Sequence, residues 1–151
     1  MSNEAGARAQ VVVPAEVRRL LARADAELVA AALAQDAGER FVHAHLGALR
    51  AAAAVVALRA RPVRRGRARS VWEQLADAEP ALAAWSVYFA SGARVRAAVD
   101  AGRFDEVDPR RADELVACAE DFRDEVAMLV DPDAGVVRLR GRRPGASGRR
   151  G

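Results

Sequence analysis

Residues 39–60 read ERFVHAHLGALRAAAAVVALRA, a stretch in which large apolar residues recur at helical spacing among many alanines. Phe41, Leu49 and Val56 fall on one face of a helix with 3.6 residues per turn. The small side chains around them permit close contact with neighbouring helices on several sides. We therefore expect a central helix that extends to about Ala60.

The segments that flank this stretch also carry helix signals. Hydrophobic residues make up 52% of the chain but aromatic residues only 5%, which favours closely packed helices over a sandwich of strands. The sequence therefore predicts an all-α protein. The expected helices are one from Pro14 to about Ala34, the central one opened by a capping box of Asp36 and Glu39, a short one at about 71–78 after a Ser70 cap, a longer aromatic one at about 80–101 ended by Gly102, and a last one from Asp108 and Pro109 to about residue 131.

Both ends of the chain differ in composition from this helical region. Residues 1–13 are small and polar, and residues 131–151 are rich in Arg and Gly. Such segments bury too little apolar surface to fold. We expect a disordered leader at 1–13, one helical domain at 14–130 and a disordered tail at 131–151.

Charge is distributed unevenly along the chain. All 24 basic residues are Arg, and two acid-free clusters, one in the tail and one between the second and third helices, hold six each, so that the remaining twelve face 21 acidic residues. The second cluster, which we call the basic loop (residues 59–69), is either solvated charge or a binding site for nucleic acid or an acidic partner. Its candidate binding residues are Arg59, Arg61, Arg64, Arg65, Arg67 and Arg69.

The sequence lacks the motifs that mark several other kinds of functional site. Cys118 is the only cysteine, so an intrachain disulfide and a zinc cluster of Cys and His are excluded. There is no phosphate-cradling Gly loop, no signal peptide and no uninterrupted apolar run of about 18 residues. The acidic residues of the last helix spread around it like a solvated face. We expect a cytoplasmic protein with no cofactor, metal or membrane contact.

The order of these features resembles that of the HEPN superfamily, the higher-eukaryote and prokaryote nucleotide-binding domains. The most specific parts are the alanine-rich helix and the block SVWEQLADAEPALAAWSVYFASGA at residues 70–93. The resemblance covers about residues 14–130 and is closest to a branch of small actinobacterial proteins. It implies an up-and-down bundle of four to five helices that often dimerises. Many members cut RNA with an Arg and a His four to six residues apart, near the start of the final helix, and others serve as binding or antitoxin-associated modules.

Arg40 and His45 have this spacing, but their context differs from that of the catalytic motif. Phe41 replaces the polar residue that commonly follows the Arg, and the pair lies in the second helix. A step of five residues also turns the two side chains about 140° apart on a helix. The helical wheel places His45 in the apolar stripe, which predicts a buried or interfacial histidine hydrogen-bonded to a neighbouring helix.

Three functional hypotheses remain open. The first is a non-catalytic HEPN-like module that dimerises and binds RNA, a nucleotide or a protein partner, with RNA or nucleotide held by the basic loop. The alternative is a metal-independent endoribonuclease in which Arg40 and His45 form a composite catalytic site across a dimer. The third is an antitoxin-like or scaffolding subunit with an apolar helical face for another protein.

Overall fold

The computed structural model describes residues 12–59, 69–103, 105 and 107–133. Most of the expected leader, most of the basic loop and most of the tail lie outside these residues. The described part holds six α-helices and no strand, so the predicted all-α bundle is confirmed. The helices are α1 (Ala15–Leu33), α2 (Ala37–Leu58), α3 (Val71–Ala78), α4 (Ala83–Ser91), α5 (Ala93–Asp100) and α6 (Pro109–Val130).

Three of the predicted helix starts are capped as expected. Asp36 Oδ2 accepts a hydrogen bond from the Glu39 amide at 2.9 Å, and Ser70 Oγ accepts one from the Glu73 amide at 3.2 Å. At α6, Asp108 is the N-cap, its Oδ1 accepting from a first-turn amide at 2.8 Å, and proline follows it. Each cap pairs an amide that the helix itself leaves without an acceptor.

The predicted aromatic helix at about 80–101 is wrong as a continuous element. Pro80 begins a single 3-10 turn, Pro80–Leu82, before α4, because proline fixes its own φ and suits a helix start. The chain then bends at Gly92, which separates α4 from α5. Gly102, with φ of +91°, follows α5 as expected, since glycine reaches the left-handed region without strain.

The central helix α2 packs against both α1 and α6. Five of its alanines are fully buried, and Gly47 lies so close to α1 that an added Cβ would stand 2.9 Å from Leu28 Cδ2. By length and composition alone α2 also qualifies as a membrane-crossing helix, and half of its most apolar window is buried inside the fold. Contact with two neighbouring helices accounts for this apolar composition. The buried alanines are Ala44, Ala48, Ala51, Ala52 and Ala54.

Aromatic side chains from four helices fill the other part of the core, with Phe89 of α4 at their centre. Its ring centroid lies 5.3 Å from that of Trp72, 5.6 Å from that of Trp85 and 5.2 Å from that of Phe122. Rings at such distances add to the stability that burial alone provides. The α4 segment is therefore held firmly against α2, α3 and α6.

Substitution of Gly47 tests the close contact between α1 and α2. Gly47→Val places new atoms against Leu28, so we expect the free energy of unfolding to fall by about 1–3 kcal/mol, as for other overpacked cores. The matched control is Ala53→Val, at a half-buried position of the same helix, which introduces the same branched side chain. Urea denaturation measures both. Equal losses in the two variants would refute the close contact.

Candidate functional site

His45 lies in the middle of α2 and is fully buried. Its Nε2 is 2.8 Å from the Phe89 carbonyl oxygen. A carbonyl oxygen can only accept a hydrogen bond, so Nε2 carries a proton. The predicted buried histidine, hydrogen-bonded to a neighbouring helix, is confirmed.

The partner of His45 lies at the bend between α4 and α5. The Phe89 carbonyl also accepts from the Gly92 amide at 3.0 Å, and it belongs to the last turn of α4, where carbonyls lack helical partners. A Cβ on Gly92 would stand 3.1 Å from His45 Cδ2 and 3.4 Å from Phe41 Cζ. The bare glycine therefore leaves room for the imidazole to reach the end of α4.

The second ring nitrogen of His45 faces a guanidinium. Nδ1 is 3.5 Å from Arg96 Nη1. Burial lowers the pKa of His45 below 6.5, and the positive charges of Arg96 and Arg111 lower it further, against the opposing effects of the Phe89 hydrogen bond and of Asp100. The imidazole is consequently neutral at pH 7 and, with its proton on Nε2, leaves Nδ1 unprotonated.

Arg40 has partners of its own. Its Nε and Nη2 donate to the Ala34 carbonyl at 3.3 and 3.2 Å, and Nη2 also donates to the Gln35 carbonyl at 3.1 Å. Nη1 pairs with Asp113 Oδ1 at 2.8 Å. Arg40 thus caps the C-terminus of α1 and links it to α6. Within one chain the structure does not bring Arg40 and His45 together.

Two of the six candidate residues of the basic loop are described, and both pair with acidic residues in or just after α3. Arg59 Nη2 is 3.4 Å from Glu79 Oε2, and Arg69 donates to Asp77. Such exposed pairs contribute little to stability, but they hold both ends of the basic loop beside one short helix. The other four, Arg61, Arg64, Arg65 and Arg67, lie outside the described residues.

Sequence reasoning missed a group of polar side chains beside His45. The Arg111 guanidinium lies over the rings of Phe41 and Tyr88, 5.5 Å from each centroid, and its Nη1 donates to Tyr88 Oη at 3.1 Å. Burial raises the pKa of the Tyr88 phenol, which stays protonated and donates to Glu114 at 3.1 Å. These residues come from three helices, so no spacing along the sequence indicates them.

The remaining candidate residues are either exposed to solvent or packed against the core. The acidic residues of α6 that raised the question of a metal site are exposed, and in the described ranges no three His, Cys, Asp or Glu side chains are grouped to hold an ion. Cys118 is half-buried and packs against the core. On α1, Val29 and Leu33 remain 59% and 77% exposed, beside shallow grooves of about 380 and 400 Å³.

Buried His45 makes stability depend on pH. Between the lowered pKa and the ordinary value of 6.5, the unfolded chain binds a proton that the folded chain does not, so the free energy of unfolding falls as pH decreases through this window, by at most about 1.4 kcal/mol per unit. We expect His45→Gln to remove this part of the slope between pH 7 and pH 5, and His43→Gln, on the polar side of α2, to keep it. Denaturation across that range measures it, and an unchanged slope in His45→Gln would argue against a neutral buried imidazole.

Comparison with known proteins identifies the family of the chain. The family model for the SAV_6107-like HEPN domain matches residues 31–127, which is more than half of the chain and runs from the end of α1 to the last turn of α6. No curated protein and no solved structure matches the chain. The protein therefore belongs to the SAV_6107-like HEPN family.

Proposed function

We propose that this protein is a cytoplasmic, non-catalytic HEPN module that binds RNA through its basic loop. The observation that carries the first half of the proposal is the environment of His45, which is fully buried with Nε2 engaged by the Phe89 carbonyl. Cleavage of RNA by an Arg and a His needs an imidazole that reaches the substrate and exchanges a proton with it. His45 meets neither requirement in this fold.

Arg40 supports the same conclusion. A guanidinium that stabilises a phosphorane needs free donors directed at the substrate. Three of the contacts of Arg40 go to the C-terminal carbonyls of α1, and a fourth goes to Asp113. Freeing Arg40 would leave those carbonyls without a partner and break the link between α1 and α6.

The basic loop supports binding. Its four central arginines have no acidic residue near them in the sequence, while Arg59 and Arg69 at its ends pair with Glu79 and Asp77. The two end residues are thereby paired with acidic residues of the fold, and we expect the central charges to carry the binding. Single-stranded RNA suits such a loop, because binding by backbone charge needs arginines at suitable spacing and no preformed pocket.

RNA binding and RNA cleavage are tested with one set of proteins. We expect the parent to bind a fluorescently labelled single-stranded RNA, with an affinity that falls as salt rises, and to leave end-labelled RNA intact. Replacing the four central arginines of the basic loop by Gln should reduce the slope of log affinity against log salt by about 3. Replacing Arg138, Arg140, Arg142 and Arg143 of the tail by Gln is the charge-matched control, and we expect it to change the slope less.

Two results would overturn the proposal. Cleavage by the parent that is lost in folded His45→Ala and Arg40→Ala variants would establish the ribonuclease. Equal RNA binding by the parent and the loop variant would remove the basic loop from the function.

A further inference from the structure

Arg96 of α5 is a mostly buried cation with too few partners. Its side chain is 27% exposed, and its nearest acidic oxygen, Asp100 Oδ2, is 3.9 Å from Nε. Among the described residues, Nε has no hydrogen-bond acceptor at all, and Nη1 has only the long contact to His45. A buried guanidinium N–H without an acceptor is costly, and an oxyanion would supply that acceptor.

Arg111 of α6 is in a similar position. Its side chain is 33% exposed, its nearest acidic oxygen, Glu114 Oε1, is 3.8 Å away, and it donates one hydrogen bond, to Tyr88. A guanidinium carries five N–H groups, so most of its donors remain available. The rings of Phe41 and Tyr88 fix the orientation of the Arg111 guanidinium plane. A guanidinium binds an oxyanion best when its paired N–H groups are held in a fixed direction.

Two other partly buried arginines of the protein show that the lack of a close carboxylate at Arg96 and Arg111 is unusual. Arg123 is 13% exposed and makes two hydrogen bonds to the carboxylate of Asp25, at 2.5 and 2.8 Å. Arg40 is 21% exposed and pairs with Asp113 at 2.8 Å. The fold therefore supplies a carboxylate at hydrogen-bond distance to Arg40 and Arg123 and none to Arg96 and Arg111.

The two guanidiniums lie beside neighbouring turns of the same helix. Arg111 contacts Phe41 and Arg96 contacts His45, and these two residues are four apart on α2 with nearly parallel rings whose centroids are 6.3 Å apart. Residues four apart share one helix face. Both positive charges also reach His45 electrostatically. Both guanidiniums therefore lie along the face of α2 that carries Phe41 and His45.

We propose that Arg96 and Arg111 form a binding site for a phosphate oxyanion. Guanidinium N–H groups from α5 and α6 hold the phosphate oxygens, and Tyr88 and Phe41 fix the Arg111 fork. The unprotonated Nδ1 of His45, 3.5 Å from Arg96 Nη1, offers that guanidinium an acceptor on its inner side. Bidentate geometry makes arginine well suited to phosphate. Asp100 and Glu114 lie close enough to limit the affinity and too far away to occupy the donors.

This site uses no residue of the basic loop, so it goes beyond the proposed function and does not depend on it. RNA binding through the loop can fail while the phosphate site holds, and the reverse also applies. The phosphate can belong to a free anion or to the end of a nucleic acid, and these sources share the chemistry that the arginines recognise.

The experiment compares inorganic phosphate with chloride at equal ionic strength. Isothermal titration and ³¹P line widths measure binding to the full chain. We expect Arg96→Gln and Arg111→Gln to weaken phosphate binding by about tenfold or more each, the scale of a lost charge-assisted hydrogen bond. Arg94→Gln and Arg110→Gln, at exposed positions of α5 and α6, remove the same charge nearby and should bind as the parent does. The basic-loop variant should also bind phosphate unchanged.

Additional arms identify the source of the phosphate and guard against misfolding. One arm compares an RNA oligonucleotide that carries a 5′-phosphate with the same oligonucleotide without it. Tighter binding of the phosphorylated RNA through Arg96 and Arg111 assigns the site to a nucleic-acid end. Equal binding of the two assigns it to the free anion.

The second arm uses Arg96→Lys and Arg111→Lys, which keep the positive charge but lose the planar guanidinium. We expect these variants to bind phosphate with intermediate affinity and to show unchanged circular dichroism. Absence of phosphate binding by the parent, or binding by folded Arg96→Gln and Arg111→Gln equal to that of the controls, would overturn the proposal.

Discussion

The hydrogen bond from His45 to the Phe89 carbonyl is the interaction around which the described helices are arranged. It joins the central helix α2 to the end of α4, at the point where Gly92 lets the chain bend into α5. The Phe89 ring also lies at the centre of the aromatic core, where it contacts the rings of Trp72 in α3 and Phe122 in α6. One neutral imidazole thus donates to a carbonyl at the end of α4 and lies beside Arg96 of α5.

The placement of His45 differs from the arrangement that the HEPN resemblance implies for ribonuclease members of the superfamily. Those members place an Arg and a His near the start of the final helix. Here the final helix has Arg111 at that place and no histidine, while His45 approaches from α2 and is buried. The charges around it lower its pKa, which favours an unprotonated side chain that holds its neighbours in place. The consequence is a buried imidazole with guanidiniums of α5 and α6 nearby.

Much of the fold follows from local signals in the sequence. Asp36, Ser70 and Asp108 each predicted a helix start because side-chain caps act over three residues, and the apolar spacing of α2 predicted its central position. The break at Gly92 was missed because its closeness to His45, 47 positions earlier in the chain, is visible only in the fold. The grouping of Arg96 and Arg111 was missed for the same reason, since only packing of α5 and α6 on α2 brings them together. The basic loop was found from composition, but the partners of Arg59 and Arg69 required the fold.

The most direct test of this account is the protonation state of His45, read from its ¹⁵N imidazole resonances in the full-length protein as pH is lowered from 8 toward 5. We expect the tautomer with a proton on Nε2 and none on Nδ1, and a ring that stays neutral below its ordinary pKa of 6.5. An imidazole that titrates at or above that value, or that carries its proton on Nδ1, would contradict it. His45 would then exchange protons with solvent, and a catalytic role would again be open.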